Sequence, residues 1–423
     1  MTTAFAMTTW TWTVLGFASL ATAIGLYLSE RQKVHVLAHR DHVPPRFRDK
    51  VSLSAHQKAA DYTVAKLIPG NFGQIYALLL LLVWTVGGGL ALLDSVTASF
   101  GLSGIWTGVV FLMLFFLIGH ILELPLEIYT TFNIEAKFGF NKMTFGLYLS
   151  DMFKQLVLMM AIGAPLGWVI LSLMDGAGSW WWLYAWMVWT AFMLLMIWAY
   201  PAFIAPLFNK FQPLQEGEMK SRIESLLDRC GFESNGLFVM DGSRRSSHGN
   251  AYFTGLGNAK RIVFFDTLLE QLEPVETEAV LAHELGHFHH GHVKKRLMVM
   301  IMVSLAGFAL LGWLMQQAWF YNGLGVTHPS NHAALVLFML VLPVFTFVLE
   351  PVMSYFSRKN EFEADAYAVH HSDGEALASA LVKMYEDNAS TLTPDALYSA
   401  WHDSHPPALM RIDHIEKVLA DKA

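Results

Sequence analysis

The residues most able to do chemistry are His283, Glu284 and His287, which stand as His-Glu-Leu-Gly-His inside an apolar frame that begins at Glu278. That frame predicts a helix, and at helical spacing His283 and His287 lie one turn apart on the same face. Both imidazoles can then reach one zinc ion while Glu284 projects beside it toward a bound water, as the active site of a metallopeptidase requires. Further along, Glu361 is followed at i+4 by Asp365 on the same helical face. This suits a third ligand followed by a carboxylate that hydrogen-bonds a ligand imidazole. Glu363 points the other way.

His289, His290 and His292 compete for the place of third ligand. His290 shares the face of His283 and His287, but seven residues of helix span roughly 10 Å, too far for three rings to meet one ion at about 2.1 Å each. The metzincin pattern fails as well, since it needs Gly at the position of His290 and His at that of Val293. The distant Glu361 is the better ligand, and the three histidines read as solvated groups or as supports of the ligands. With three protein ligands a fourth position stays open for water, and Glu284 is placed to take its proton and hand it to the leaving amine.

The elements that must position these residues lie in a membrane. With 54% hydrophobic residues, 15% charged and a mean hydropathy of +0.39 over 423 residues, and with apolar runs of about 20, the chain reads as a polytopic membrane protein. Seven spans are predicted: Trp10 to Leu28, Phe72 to Leu93, Ile105 to Ile121, Leu156 to Met174, Trp181 to Ile204, Leu297 to Trp319 and Ala333 to Phe356. Trp180, Trp181, Trp182 and Tyr184 suit a membrane interface. His120, Glu123 and Glu127 crowd the end of the third span, and such groups usually face a protein interior, which points to an internal cavity rather than an ordinary helix end. Ala21-Thr-Ala23 could suggest a cleaved signal peptide, but no basic segment precedes the first span and positive charge follows it, so it is retained.

The segments Asp94 to Gly104, Asp175 to Ser179 and Tyr321 to His332 contain no Lys or Arg, whereas Arg31 to Lys66 is rich in them. Every Lys and Arg lies on, or at the border of, a single side, which places the N-terminus outside and the C-terminus in the cytoplasm. The chain then divides into residues 1–208 with five spans, 209–296 as a cytoplasmic zinc-peptidase segment, 297–356 with two spans, and 357–423 as cytoplasmic helices carrying Glu361. Arg31 to Lys66 reads as an interfacial amphipathic hairpin. Within the first cytoplasmic segment a helix is expected over Gln215 to Cys230, a strand over Gly236 to Asp241, and a hairpin of Ala251 to Thr254 and Arg261 to Asp266 around Gly255 to Ala259. Asn250 to Thr254 is bounded by Gly249 and Gly255 and can form an edge strand that docks a peptide backbone, with Ala251 and Tyr252 as its central residues. Because Glu361 falls just past the last span, the metal must lie near the membrane surface. A lone Cys230 excludes an intramolecular disulfide and reads as a small buried residue. A net charge of -7 with pI about 6.2 argues against a nucleic-acid partner.

Nearly the whole length resembles the type I CAAX prenyl endopeptidases, integral-membrane zinc proteases that act on prenylated proteins in eukaryotes and have bacterial relatives; the chain reads as one of the latter. The resemblance rests on Leu124 to Thr144, Asp241 to Gly255, Arg261 to Leu269, the zinc motif, Glu361 to Asp365, and Ser404-His-Pro-Pro-Ala-Leu-Met-Arg-Ile. Phe288 stands for another aromatic residue after the zinc motif, and Gly249 where the family often has Ser. The resemblance implies an all-α membrane barrel of seven helices around a large water-filled chamber, capped by a zinc domain with a small β-hairpin or sheet. It implies zinc ligands His283, His287 and Glu361, the general base Glu284, Asn250 and His405 lining the cleft and stabilising the oxyanion, and Arg411 as partner of a nearby carboxylate. Asn250 in a turn could instead cap backbone, and His405 before Pro406-Pro407 could merely pack. The expected partners are a peptide or protein substrate, lipidated or not, and the bilayer, with the chain a monomer. A quality-control protease of heat-shock type is an alternative, although those have fewer spans. A transporter or receptor with structural zinc is another, but a structural site is closed by four ligands and has no use for Glu284.

Overall fold

The computed structural model describes residues 7–254 and 261–422. Among the described residues, seven helices are long and apolar enough to cross a membrane: Thr9–His39, Leu53–Trp84, Ile105–Glu135, Phe145–Gly176, Gly178–Phe208, His292–Leu314 and Asn331–His371. The expected second span overshoots, because the helix stops at Trp84 and a separate helix, Gly89–Ser99, follows the run Gly87-Gly88-Gly89. Three glycines in succession leave the helical backbone with little to hold it. The third, fourth and fifth spans each contain a π-helical turn, at Thr130–Glu135, Met159–Gly163 and Tyr200–Ile204.

The segment Arg31 to Lys66 is not the separate interfacial hairpin expected. Its polar residues instead prolong the first and second spans, which run to His39 and start at Leu53, with a short link between them. Pro44 and Pro45 keep that link from continuing as helix. Its Phe47 is fully buried with Val382, Leu392 and Ile412 of the C-terminal segment.

The two ends of the bundle are fastened by different residues. At one end Thr11 Oγ1 donates to Gly323 O at 2.6 Å, and His332 Nε2 meets Asp94 Oδ1 at 2.8 Å. At the other, Arg31 Nη2 meets Asp395 Oδ2 at 2.9 Å and ties the first span to the C-terminal segment. Between the spans lies a cavity of about 2000 Å³, lined mainly by apolar side chains such as Leu81, Phe116, Met159 and Phe338. His120 and Glu123 are on its wall, as the expected cavity requires, whereas Glu127 is not among the lining residues.

Outside the spans a four-stranded sheet has the order β1 (Phe211–Pro213), β2 (Leu237–Met240), β4 (Arg261–Phe265) and β3 (Ala251–Thr254). β3 and β4 pair antiparallel as expected, but β1 and the parallel pairing of β2 with β4 were not anticipated. The expected turn at Gly255 to Ala259 lies outside the described residues. The predicted Gln215 to Cys230 helix is present as Glu218–Arg229, and it buries Ile223 and Leu226 in one core with Phe264, Leu268, Leu281 and Ala380.

Seven spans with the ends fastened in this way put Thr327 to Pro329, which are exposed, on the side opposite the C-terminus. A reporter fused after Ala423 and one inserted between Thr327 and Pro329 should therefore sense different compartments. The same compartment for both would show the span count to be wrong.

Candidate metal centre

The helix Pro274–His289 carries the His-Glu-Leu-Gly-His motif and is held at both its start and its flank. Glu273 and Glu276 form a capping box with Pro274 at the first turn, which satisfies amide groups that the helix start leaves open. Glu276 is buried, and its carboxylate also accepts from Ser379 Oγ at 2.7 Å and Lys383 Nζ at 2.8 Å. Burial opposes its ionisation, but Lys383, the Glu273 amide and Ser379 prevail and hold its pKa below the usual carboxylate range. Ala279, Leu281, Ala282 and Leu285 then sink the helix into the core.

The partner helix Glu350–His371 packs closely against this one because the motif carries Gly286 and the facing residues include Ala364 and Ala368, both fully buried. A Cβ at position 286 would lie 2.9 Å from Ala364 Cα and 3.0 Å from Tyr367 Cβ, so a larger residue would push the helices apart.

This approach brings together the three residues proposed from the sequence. His283 Nε2 and His287 Nε2 are 3.2 Å apart, His283 Nε2 is 3.4 Å from Glu361 Oε2, and His287 Nε2 is 3.3 Å from Glu361 Oε1. Four ligands about 2.1 Å from a tetrahedral ion stand roughly 3.4 Å from one another. The triangle therefore has the edges that a zinc site needs. Glu361 Oε2 is buried and has no hydrogen-bond partner among the described residues, which leaves an electron pair for a ligand. Two imidazoles and one carboxylate are also the donor set that zinc accepts with a position left open.

Behind the triangle Asp365 Oδ1 accepts from His283 Nδ1 at 2.8 Å, and Arg411 grips Asp365 through Nη2 at 2.5 Å and Nε at 2.9 Å. Arg411 Nη1 also lies 3.6 Å from Glu361 Oε2. Burial works against the charge of Arg411, but Asp365 and Glu361 outweigh it and keep the guanidinium more firmly protonated than usual. Of the other histidines His289 is exposed, while His292 is buried and contacts His287, a neighbour that helical geometry alone did not single out.

His405 stands at the open side of the triangle, with 63% of its side chain exposed and Nε2 3.6 Å from Glu361 Oε1. Glu284 lies near enough for its charge to act on His405. Asn250 is exposed at the head of β3, where its Oδ1 accepts from the Ala251 amide at 2.8 Å and its carbonyl from Phe265 at 2.9 Å. In this state it caps backbone. β3 is the outer strand of the sheet, and its Phe253 ring meets Phe288 beside the motif at 4.9 Å. Tyr252 is half-buried against Phe265.

The bond from the Phe265 amide to Asn250 O fixes the alternation along this pair. Asn250 and Tyr252 direct their amides and carbonyls toward β4, and Ala251 and Phe253 direct theirs to the free edge. Of the two residues proposed from the sequence as the docking edge, only Ala251 offers its backbone outward.

Residues 32–210 match the family described as CAAX prenyl protease N-terminal, five membrane helices, and residues 213–419 match peptidase family M48. The chain is 34% identical to CAAX prenyl protease 1 of Saccharomyces cerevisiae over 98% of its own length and 96% of the relative's. It is 32% identical to the human CAAX prenyl protease 1 homolog, covering 92% of each chain. The crystal structure of S. mikatae Ste24p superposes with a TM-score of 0.91 at 33% identity, over 97% of this chain and 99% of that one. The seven spans, the His-His-Glu triangle and similarity over nearly the full length all agree: the chain belongs to the M48 family of CAAX prenyl proteases, integral-membrane metalloendopeptidases.

Proposed function

We propose that His283, His287 and Glu361 hold one zinc ion, that Glu284 is the general base, and that the substrate is a prenylated or otherwise membrane-bound polypeptide. The ligand assignment is carried by the triangle of 3.2, 3.3 and 3.4 Å edges among their ligand atoms. Zinc held there supplies acidification of a bound water and polarisation of the scissile carbonyl. Glu284 takes the proton of the attacking water and delivers it to the leaving nitrogen, so the carboxylate ends the cycle as it began. His405 Nδ1 meets Ser404 Oγ at 3.0 Å; in the tautomer where that hydroxyl donates, the imidazole proton stands on Nε2, from which it is donated to the oxyanion. Asp365, fixed by Arg411, keeps the proton of His283 on Nδ1 and so keeps Nε2 free to bind metal.

A substrate strand laid along the free edge of β3 would pair with Ala251 and Phe253, displace the Asn250 side chain from the Ala251 amide, and free it to face the cleft. Backbone pairing of this kind is tolerant of side-chain sequence. The apolar cavity of about 2000 Å³ suits a lipid-bearing or apolar chain, and the relatives carry the name CAAX prenyl protease. The metal centre faces the cytoplasm on the basic side of the membrane, and one chain, as a monomer, supplies every ligand.

The substrate class is tested by comparing a farnesylated C-terminal peptide, its unlipidated twin and an unstructured membrane-protein fragment. The farnesylated peptide should be favoured by about tenfold or more in kcat/KM, or at least 1.4 kcal/mol. Equal cleavage of the twin would remove prenylation from the proposal, and preference for the fragment would favour quality control.

Glu284 and Glu361 should fail differently. Glu284→Gln should retain zinc while turnover drops by roughly 10²- to 10⁴-fold, whereas Glu361→Ala should lose metal and activity together. Full zinc occupancy in the Glu361 variant would refute the ligand assignment. Ala251→Pro removes an outward amide without touching the bonds to β4, so peptide cleavage should fall sharply in a folded protein that still binds zinc. Unchanged kinetics would exclude β3 as the docking edge.

A further inference from the structure

The two imidazoles of the triangle are backed by different devices. His283 is backed directly by Asp365. His287 Nδ1 instead meets another imidazole, His292 Nδ1, at 2.9 Å, and His292 Nε2 meets Glu363 Oε2 at 3.0 Å. His292 is buried, at 5% exposure, and both of its ring nitrogens are used.

The contact between His287 and His292 exists because the chain turns between them. In a continuous helix residues five apart would lie about 140° apart around the axis, on different faces. The motif helix ends at His289, Gly291 takes a left-handed conformation with φ 66°, and His292 begins the helix of the sixth span. A side chain at position 291 would be strained in that conformation. The reversal swings His292 back against the ring of His287.

Proton placement along the three groups follows from the geometry. With Nε2 of His287 turned toward the triangle, its proton sits on Nδ1 and is donated to His292 Nδ1. His292 must then carry its own proton on Nε2, and it donates that to Glu363. Reversing either ring would set two donors or two lone pairs against each other at 2.9 Å. The charge of Glu363 draws the protons outward along this line and increases electron density at His287 Nε2. Glu363 therefore serves the centre from a different side of the helix that carries Glu361.

We propose that His292 and Glu363 form a hydrogen-bonded relay that fixes the tautomer and ring orientation of His287 and thereby sets how tightly the enzyme holds its metal ion. Both are positioning residues. The proposal rests on the assignment of His287 as ligand, and the controls separate the two.

Zinc affinity is measured on the purified full-length enzyme by competition with a chromogenic chelator, alongside thermal unfolding of the metal-free protein. His292→Phe keeps the ring shape but removes both nitrogens, and it should weaken zinc binding about 10- to 100-fold while the metal-free melting temperature stays near wild type. Glu363→Gln lies on a less buried position and should weaken binding in the same direction by less, with His292→Gln between the two. His289→Phe, an exposed neighbour, should bind zinc as wild type does. Wild-type affinity in both His292→Phe and Glu363→Gln would overturn the relay, as would a loss in His289→Phe of the same size. If His287→Ala bound zinc normally, the ligand assignment would fail, and the relay with it.

Discussion

Close contact between Gly286 of the motif helix and Ala364 of the partner helix is the constraint from which the candidate metal centre follows. The triangle of His283, His287 and Glu361, with edges near 3.3 Å, draws two corners from one helix and the third from another. The side chains of His and Glu are short, so the helices must touch backbone to backbone, and a Cβ at position 286 would already lie 2.9 Å from Ala364 Cα. What surrounds this contact keeps it in register. Lys383 and Ser379 anchor the start of the motif helix through Glu276, and Arg411 bridges to the partner helix through Asp365. Buried charges of this kind are costly when a partner is lost.

Much of the centre was legible in the chain because its information is local. His283 and His287 declare themselves by helical spacing, Glu361 and Asp365 do the same, and the apolar runs declare the spans. Residues whose partners lie across the fold were less legible. His292 and Glu363 are separated by two spans, and a continuous helix would have carried His292 away from His287; the signal that could have exposed it is Gly291, a helix terminator. The parallel pairing of β2 with β4 had no local sign, since β1 has only three residues and the pairing is set by the core beneath. The segment after the first span was misread because its charges suggest a surface helix, while its helical propensity carries the span onward until Pro44. Asn250 was read as facing the cleft, yet a short polar side chain at the head of a strand first satisfies the nearest amide.

The peptidase domain is joined to the bundle by more than chain continuity. Arg245 donates to Asp151 of the fourth span at 2.8 Å, to Asn209 at 2.8 Å and to Phe208 O at 2.7 Å. Two residues on, Ser247 donates to Phe140 O, and the His248 ring stacks on Phe140 at 4.3 Å while its Nδ1 meets Asn388. The loop that leads into β3 is thus clamped to the link between the third and fourth spans, so the free edge keeps a set position relative to the bundle. Two segments distant in sequence, Leu124 to Thr144 and Asp241 to Thr254, meet here.

The order of the chain has a consequence for biogenesis. His287 precedes the sixth span, Glu361 lies in the helix of the seventh beyond its apolar run, and Arg411 follows both. On the ligand assignment proposed above, a ribosome-bound chain that has emitted the motif still lacks the third corner of its triangle. It gains that corner only after two more hydrophobic helices have entered the bilayer, and it gains the clamp on Asp365 later still. In a chain ordered this way the triangle closes only once the last span is in place, so assembly of the site and insertion of the bundle are one event.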